Sequence, residues 1–260
     1  MNRFLLLIII FLATASNASA QAIPATWTSF DPIGDRVSGT LGPVNIAGTL
    51  LKDARSFGFP LDGAEYALAP LPDPLTTFIA YKSLSPFKFV FSHPVKGLRL
   101  YVINWTPGTY SLDQPFTVIS GFTGVASTGN PIVAGPANAI GVIQFDVPIT
   151  TLNLTPTNPT DGFAEVHFAV VPEPTTLAIT GPKKIRTSRS SVTLRGTASA
   201  TFSIEKVSVK AGKGSAKTAK GREAWSIRLR PEVGRTTVKV NSVGYGGSAS
   251  TVSVVKIIRR

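Results

Sequence analysis

Apolar and polar residues alternate with a period of two along much of residues 85–171, as expected for β-strands with one buried face. Phe87, Phe89 and Phe91 share one phase of such a strand. The next apolar run is Leu98 to Trp105, and the turn residues between the two runs predict an antiparallel hairpin. Two further segments repeat the alternation through the inward residues Ile143, Phe145, Val147, Val166, Phe168 and Val170.

Turn-forming residues separate these segments, as in Thr106-Pro107-Gly108 and Gly129-Asn130-Pro131. Such residues end strands and prevent long helices, and no window of a dozen residues carries an apolar stripe with helical spacing. Short strands must bury their apolar faces against a second sheet. Residues 21–171 therefore predict an all-β sandwich or jelly-roll-like domain.

A second set of strands is predicted toward the C-terminus, near 177–180, 191–196, 205–211, 224–230, 235–242 and 250–258. Their apolar phase contains Val192, Leu194, Val207, Val209, Trp225, Ile227, Leu229, Val238 and Val240, and their outward phase contains Arg195, Lys210, Arg228, Arg230 and Lys239. Six or seven strands in this length predict an immunoglobulin-like sandwich. Trp225 is expected in its core, with a surface role in ligand stacking as the alternative.

The N-terminus has the three parts of a secretory signal peptide. Arg3 supplies positive charge, an apolar run extends from Phe4 to Ala13, and Ala18-Ser19-Ala20 forms a small-residue cleavage site. This apolar run is too short to cross about 30 Å of hydrocarbon. We expect residues 1–20 to be removed and the mature chain to be secreted, with no membrane span.

Charge divides the chain into two parts. Residues 1–171 carry 8 Lys+Arg and 10 Asp+Glu, whereas residues 172–260 carry 18 Lys+Arg and 4 Asp+Glu. Such asymmetry favours two separately built domains. The prolines at 172 and 174 favour an extended backbone, so we predict a linker at 172–176 between a β-sandwich domain at 21–171 and a basic domain at 177–260.

The linker also carries a family resemblance. Val171-Pro172-Glu173-Pro174-Thr175-Thr176-Leu177-Ala178 resembles the opening of the PEP-CTERM sorting signal of exopolysaccharide-producing Gram-negative bacteria. In that family an apolar transmembrane helix and an arginine cluster follow, and an exosortase processes the chain. Here Ile179-Thr180-Gly181-Pro182-Lys183-Lys184 interrupts the apolar run. The first domain is also similar to the β-sandwich ectodomains that precede this signal.

Residues 177–260 resemble a bacterial Ig-like module. The resemblance is carried by Ser191-Val192-Thr193-Leu194-Arg195-Gly196-Thr197-Ala198 and by Trp225-Ser226-Ile227-Arg228-Leu229. In such modules the first phrase is the second strand with its glycine turn. The resemblance implies that an Ig-like module stands where the membrane helix normally lies. It implies adhesion, spacing or display at the bacterial cell surface rather than catalysis.

Composition narrows the candidate chemistry. The chain has no Cys, which excludes thiol nucleophiles and disulfides, and it has two histidines, His93 and His167. Each histidine is expected at the surface or in a structural hydrogen bond, with His167 on the polar phase of its strand. We assign no catalytic or cofactor-binding residue and no cofactor.

The acidic residues between 31 and 65 are interpreted mainly as turn residues, because Asp is common next to Pro and Gly in turns. They also allow two alternative hypotheses. Asp31 and Asp35 are candidates for calcium binding, because carboxylates on loops are suitable ligands. A glycosidase needs two opposed carboxylates, and these would come from Asp31, Asp35, Asp53, Asp62 and Glu65.

A basic stretch gives the main binding hypothesis. Its cations are Lys206, Lys210, Lys213, Lys217, Lys220 and Arg222, with the last four in a predicted flexible loop. A strongly basic domain attracts polyanions, so the expected partner is an anionic polysaccharide or another polyanion, such as lipopolysaccharide or extracellular DNA, and a solvated surface is the alternative. Specific nucleic-acid recognition is not expected, because few aromatic rings and no recognition helix are present.

Aromatic residues of the first domain provide a further hypothesis, a sugar-binding platform made of Trp27, Tyr101, Trp105 and Tyr110. The alternative is that Tyr101 and Trp105, which share one strand phase, belong to the core. Taken together, the sequence predicts a non-enzymatic envelope or extracellular-matrix protein for surface display, adhesion or binding of anionic exopolymer. The alternatives are a carbohydrate-binding module and a carbohydrate-active enzyme. No pattern sets an oligomeric state.

Overall fold

The computed structural model describes residues 26–51, 53–58 and 77–260. The predicted signal peptide and the candidates Asp62 and Glu65 lie outside the described residues. Every regular element in the described ranges is a β-strand, which confirms the all-β class. These ranges contain no helix long and apolar enough to cross a membrane.

Fourteen of the described strands lie between Thr26 and Val170. They are β1 (Thr26–Ile33), β2 (Arg36–Leu41), β3 (Val44–Thr49), β4 (Arg55–Gly58), β5 (Thr77–Lys82), β6 (Phe87–Val95), β7 (Leu98–Trp105), β8 (Gly108–Leu112), β9 (Phe116–Thr123), β10 (Val125–Ser127), β11 (Ile132–Ala134), β12 (Ala139–Phe145), β13 (Ile149–Thr157) and β14 (Phe163–Val170).

These strands form two antiparallel sheets joined by β1. Sheet I has the order β9-β12-β7-β14-β5-β4, and sheet II has the order β10-β11-β8-β13-β6-β3-β2-β1. Thr26 and Trp27 of β1 pair with β14 of sheet I, whereas Thr28 to Ile33 pair with β2 of sheet II. One strand therefore closes one side of a β-sandwich.

Aromatic rings from both sheets fill the space between them. Phe89 and Phe91 of β6 meet Phe168 of β14 edge to face, with ring centroids 4.8 and 5.5 Å apart. Edge-to-face contact is a preferred geometry for aromatic pairs. The predicted inward phase of Phe87, Phe89 and Phe91 is confirmed, since all three are buried while Lys88, Val90 and Ser92 are exposed.

The predicted hairpin between β6 and β7 is wrong. β6 pairs with β3 and β13 in sheet II, whereas β7 pairs with β12 and β14 in sheet I. Both strands present apolar residues to the same core, so they lie on opposite sides of it, and Gly97 with φ +67° turns the chain across. The prediction for Val147 is also wrong, because β12 ends at Phe145 and Val147 is 36% exposed.

The C-terminal strands form a second sandwich. They are β15 (Thr176–Thr180), β16 (Lys184–Thr187), β17 (Val192–Ser199), β18 (Ile204–Ala211), β19 (Ala216–Thr218), β20 (Ala224–Leu229), β21 (Gly234–Gly244) and β22 (Ser253–Arg259). Sheet III has the order β15-β17-β20, and sheet IV has the order β16-β22-β21-β18-β19. This arrangement matches the two-sheet pattern of immunoglobulin-like sandwiches.

The core of this sandwich follows the predicted apolar phase. Trp225 is 2% exposed and packs with Leu194, Val207, Val209 and other residues of both sheets, so its predicted core position is confirmed. Six strands were predicted close to their observed bounds, whereas β16 and β19 were not predicted because they are short and mostly exposed.

Two local predictions at the start of this sandwich need correction. Gly196 lies inside β17 and not in a turn. A glycine is needed there because a Cβ would collide with the Trp225 ring. The linker runs over residues 171–175, one position earlier than the predicted 172–176, because β14 ends at Val170 and Thr176 already pairs with Ser199 in sheet III.

Candidate polyanion-binding surface

The outer surface of sheet IV carries a continuous set of cations, which we call the basic face. Val207, Val209, Val238, Val240, Val255 and Ile257 point into the core, so the alternating positions point to solvent. Those positions place exposed cations on four adjacent strands. The basic face consists of Lys184, Lys206, Lys210, Arg235, Lys239 and Lys256.

Strand register brings these cations together in pairs. Lys210 of β18 is directly opposite Lys239 of β21, and Lys184 of β16 is directly opposite Lys256 of β22. Like charges placed directly opposite each other destabilise a sheet. The two facing lysine pairs of the basic face therefore lower the stability of sheet IV.

Few acidic side chains neutralise the cations of the basic face. The described residues contain one ion pair on it, between Lys206 Nζ and Glu205 Oε1 at 3.6 Å, and both side chains are more than two-fifths exposed. Such a surface pair contributes little, about 0–1 kcal/mol. Solvent counterions or an external polyanion must supply the remaining neutralisation.

The structure separates the six cations predicted from the sequence. Lys206 and Lys210 belong to the basic face, and Lys213 lies in the turn that follows β18. Lys217 is not in a flexible loop as predicted. It belongs to β19, pairs with Val209 and lines an opening beside Arg228 and Arg230 between the two sheets.

Lys220 follows β19 near the Lys206 end of β18, where the Ala219 backbone N–H donates to the Val207 carbonyl at 2.9 Å, and Arg222 lies two residues farther along the chain. Lys220 forms a β-bridge with Ser226. The Arg222 guanidinium lies 5.9 Å from the Tyr245 ring. The sequence did not indicate Lys184, Arg235 or Lys256 as binding candidates, because only the pairing of distant strands brings them to Lys206 and Lys210.

A second basic feature is a cleft of about 880 Å³, which we call the arginine groove. Its cations are Arg186 on β16, Arg189 in the following loop, Arg195 on β17 and Arg228 on β20. Three hydroxyl residues, Thr187, Ser191 and Thr193, lie among them. Arg195 and Arg228 were predicted to point outward, and the structure places both at the surface.

The Pro-Glu-Pro motif lies at the junction of the two sandwiches. Glu173 accepts a 2.7 Å ion-pair contact from Lys96 Nζ, and its backbone N–H donates to Thr201 Oγ1 at 2.7 Å. The Lys96 backbone N–H donates to the Thr201 carbonyl at 2.8 Å. Pro172, Glu173 and Pro174 are thus exposed but tied to both sandwiches.

The histidines have different environments. His93 is half-buried at the same junction, 3.1 Å from Ser92 Oγ through Nδ1, and its ring centroid lies 3.7 Å from that of Tyr245. His167 was predicted on a polar phase, but it is fully buried, with its ring 5.1 Å from Phe78. The prediction failed because β14 is buried on both faces.

The predicted aromatic platform is also wrong. Tyr101, Trp105 and Tyr110 are all 0% exposed, and Trp105 stacks on Tyr110 with centroids 4.6 Å apart. Trp27 belongs to β1. Burial raises the pKa of Tyr101 to about 12, although Arg99 acts in the opposite direction by charge and hydrogen bonding. A sugar cannot stack on rings that solvent does not reach.

The acidic candidates lie near the β1–β2 turn. Asp31 is exposed on β1, and Asp35 follows in the turn, where its Oδ1 accepts a 3.4 Å hydrogen bond from the Asp53 backbone N–H. Within the described residues, no group of three or more His, Cys, Asp or Glu side chains is placed to hold a metal ion.

Similarity to known proteins is limited to solved structures with low TM-scores. No family model and no curated protein sequence matches the chain. It is similar to fibronectin(III)-like modules of CbhA from Clostridium thermocellum, with 18% identity and a TM-score of 0.26 over 33% of this chain and 96% of that chain.

Two solved enzyme structures are also similar to the chain. One is the glycoside hydrolase domain of Endo-D from Streptococcus pneumoniae R6, with 10% identity and a TM-score of 0.21 over 69% of this chain and 33% of that chain. The other is a polysaccharide lyase, with 9% identity and a TM-score of 0.24 over 91% of this chain and 39% of that chain. The chain therefore spans well under half the length of either enzyme structure.

Proposed function

We propose that this chain is a non-enzymatic protein of the bacterial envelope or extracellular matrix that binds anionic exopolymer. The observation that carries the proposal is the basic face of sheet IV, where six cations lie on one surface with one adjacent carboxylate among the described residues. Binding a polyanion releases the counterions that otherwise neutralise both partners, which favours association at low salt.

The proposed location rests on sequence features. Residues 1–20 have the pattern of a signal peptide, and residues 171–178 resemble the PEP-CTERM motif. In this proposal the Pro-Glu-Pro segment acts as a spacer, because Glu173 contacts Lys96 of the first sandwich and Thr201 of the second. The first sandwich is then displayed beside the polymer that the second one binds.

The proposal is tested by measuring binding of residues 21–260 to a polyuronate, a sulfated polysaccharide and a neutral polysaccharide at several salt concentrations. The test variant, Lys210→Gln with Lys239→Gln, removes two facing charges from the basic face. Its matched control, Arg36→Gln with Lys88→Gln, removes two exposed charges from the first sandwich.

Each cation near an anionic surface contributes on the order of 1 kcal/mol at low salt. We therefore expect the test variant to bind the anionic polymers roughly ten- to thirtyfold more weakly, with a smaller dependence on salt. The control should bind within about twofold of the native chain. Equal losses in the two variants, or no binding of any anionic polymer by the native chain, would contradict the proposal.

A further inference from the structure

We propose that the arginine groove is a specific binding site for the carboxylate or sulfate groups of an acidic saccharide, distinct from the lysine pairs of the basic face although Arg186 follows Lys184 on the outward phase of β16. This inference rests on the proposed function, because it assumes that the second sandwich meets anionic polymer. It adds a site at which individual acidic groups are recognised by geometry and not only by total charge.

The strand register positions two of the arginines. Arg228 of β20 lies opposite Thr193 of β17, and Arg195 is two residues farther along β17, so both arginines are on the outer face of sheet III. Diagonal neighbours of this kind have Cβ atoms about 7–8 Å apart. Arg186 and Arg189 reach the groove from β16 and the loop after it.

Hydroxyl groups hold parts of the groove in place. Arg228 Nε donates to Ser191 Oγ at 3.1 Å, which fixes the plane of the guanidinium and leaves its two terminal nitrogens for a ligand. The Arg189 backbone N–H donates to Thr187 Oγ1 at 3.0 Å, which orders the loop that carries Arg189. Groups that are already ordered lose less conformational entropy when a ligand binds.

The groove contains cations without acidic partners. None of its four arginines takes part in an ion pair among the described residues, and no Asp or Glu lines the groove. Four guanidinium groups around one cleft repel one another, and an anion placed between them relieves that repulsion. The lining therefore favours an anionic ligand over a neutral one.

The choice of arginine indicates the kind of anion. A guanidinium presents paired N–H groups that match two oxygens of one carboxylate or sulfate, whereas a lysine ammonium acts as a point charge. Most cations of the basic face are lysines, whereas all the cations that line the groove are arginines. The lining includes no aromatic ring to stack a nucleobase, and the hydroxyls of Thr187 and Thr193 suit sugar hydroxyls.

The experiment uses residues 21–260 and short oligosaccharides, whose few charges gain little from the basic face. The probes are an oligouronate, a sulfated oligosaccharide of equal length, a neutral oligosaccharide and a DNA duplex of similar charge. Calorimetry gives the affinity of each probe. The test variant is Arg195→Lys with Arg228→Lys, which keeps both charges and removes the paired N–H geometry.

The matched variant Lys210→Arg with Lys239→Arg makes the reverse exchange on the basic face. A second test variant, Ser191→Ala, keeps every charge and removes only the hydroxyl that holds Arg228. Melting curves of each variant report whether the sandwich remains folded.

We expect the native chain to bind an acidic oligosaccharide and the arginine-to-lysine variant to bind it about tenfold more weakly. Ser191→Ala should weaken binding by about threefold, and the matched variant should not weaken it. Preference for the uronate identifies carboxylate as the natural group, and preference for the sulfated probe identifies sulfate.

Two results would overturn the inference. One is unchanged affinity in both the arginine-to-lysine and Ser191→Ala variants, and the other is tighter binding of the DNA duplex than of either acidic sugar. If long polymers still bind through Lys210 and Lys239 in that case, the proposed function stands without the groove. If no anionic polymer binds at all, the proposed function fails as well.

Discussion

Gly196→Ala should strongly destabilise the second sandwich, because Gly196 lies in β17 beneath the Trp225 ring. A Cβ at this position would be 2.5 Å from Trp225 Cζ2, 2.7 Å from Trp225 Cε2 and in direct collision with the Ala178 carbonyl oxygen. The ring is 2% exposed in a packed core, and Ala178 belongs to the paired strand β15. The ring is enclosed by the core, and the pairing of β15 with β17 holds the Ala178 carbonyl in place.

The magnitude follows from the number of clashes. Adding a methyl group to a packed core costs about 1–3 kcal/mol, and a clash with backbone as well as with a buried ring puts Gly196→Ala at the upper end, about 3 kcal/mol. In a unit of about 60–100 residues, each kcal/mol lowers Tm by about 4–8 °C. The transition of the second sandwich should therefore fall by roughly 12–24 °C.

Differential scanning calorimetry of residues 21–260 measures this shift. Gly121→Ala is the matched control, because Gly121 also lies in a strand and a Cβ there meets no atom within 4 Å. The control should change stability by less than about 0.5 kcal/mol. Equal melting temperatures for the two variants would refute the packing argument.

Two further predictions concern the junction and a buried carboxyl group. Thr201→Val removes the hydroxyl that accepts the Glu173 N–H and should lower the free energy of unfolding by about 1–2 kcal/mol. The control, Thr197→Val at an exposed position, should leave that free energy unchanged. Equal denaturation midpoints for the two variants would contradict the role of this hydrogen bond. Burial raises the pKa of Glu165, against a smaller opposing effect of the Asn104 hydrogen bond, so its ionisation at rising pH destabilises the fold. Glu165→Gln should therefore be more stable than the native chain at neutral pH. This advantage should shrink as the pH falls through the raised pKa of Glu165 and be almost absent below about 4.5, so a constant difference in urea midpoint between neutral and acidic pH would refute the prediction.

Local conformation and most inward-facing positions follow from the pattern of apolar and polar residues alone. Period-two alternation predicted the buried phase of β6 and the core position of Trp225, because side chains of a strand alternate between its two faces whatever lies beside it. It also predicted six strands of the second sandwich and the outward direction of Lys210 and Lys239.

The choice of paired strands and of covered faces depends on contacts between residues far apart in the sequence. β6 and β7 are consecutive yet belong to different sheets, and β14 is buried on both faces, so neither the hairpin nor a polar phase at His167 formed. The candidate sites depend on the same long-range choices. Lys184 is placed opposite Lys256, and Arg195 diagonally from Arg228, by backbone hydrogen bonds that do not depend on side-chain identity and therefore leave no pattern in the sequence.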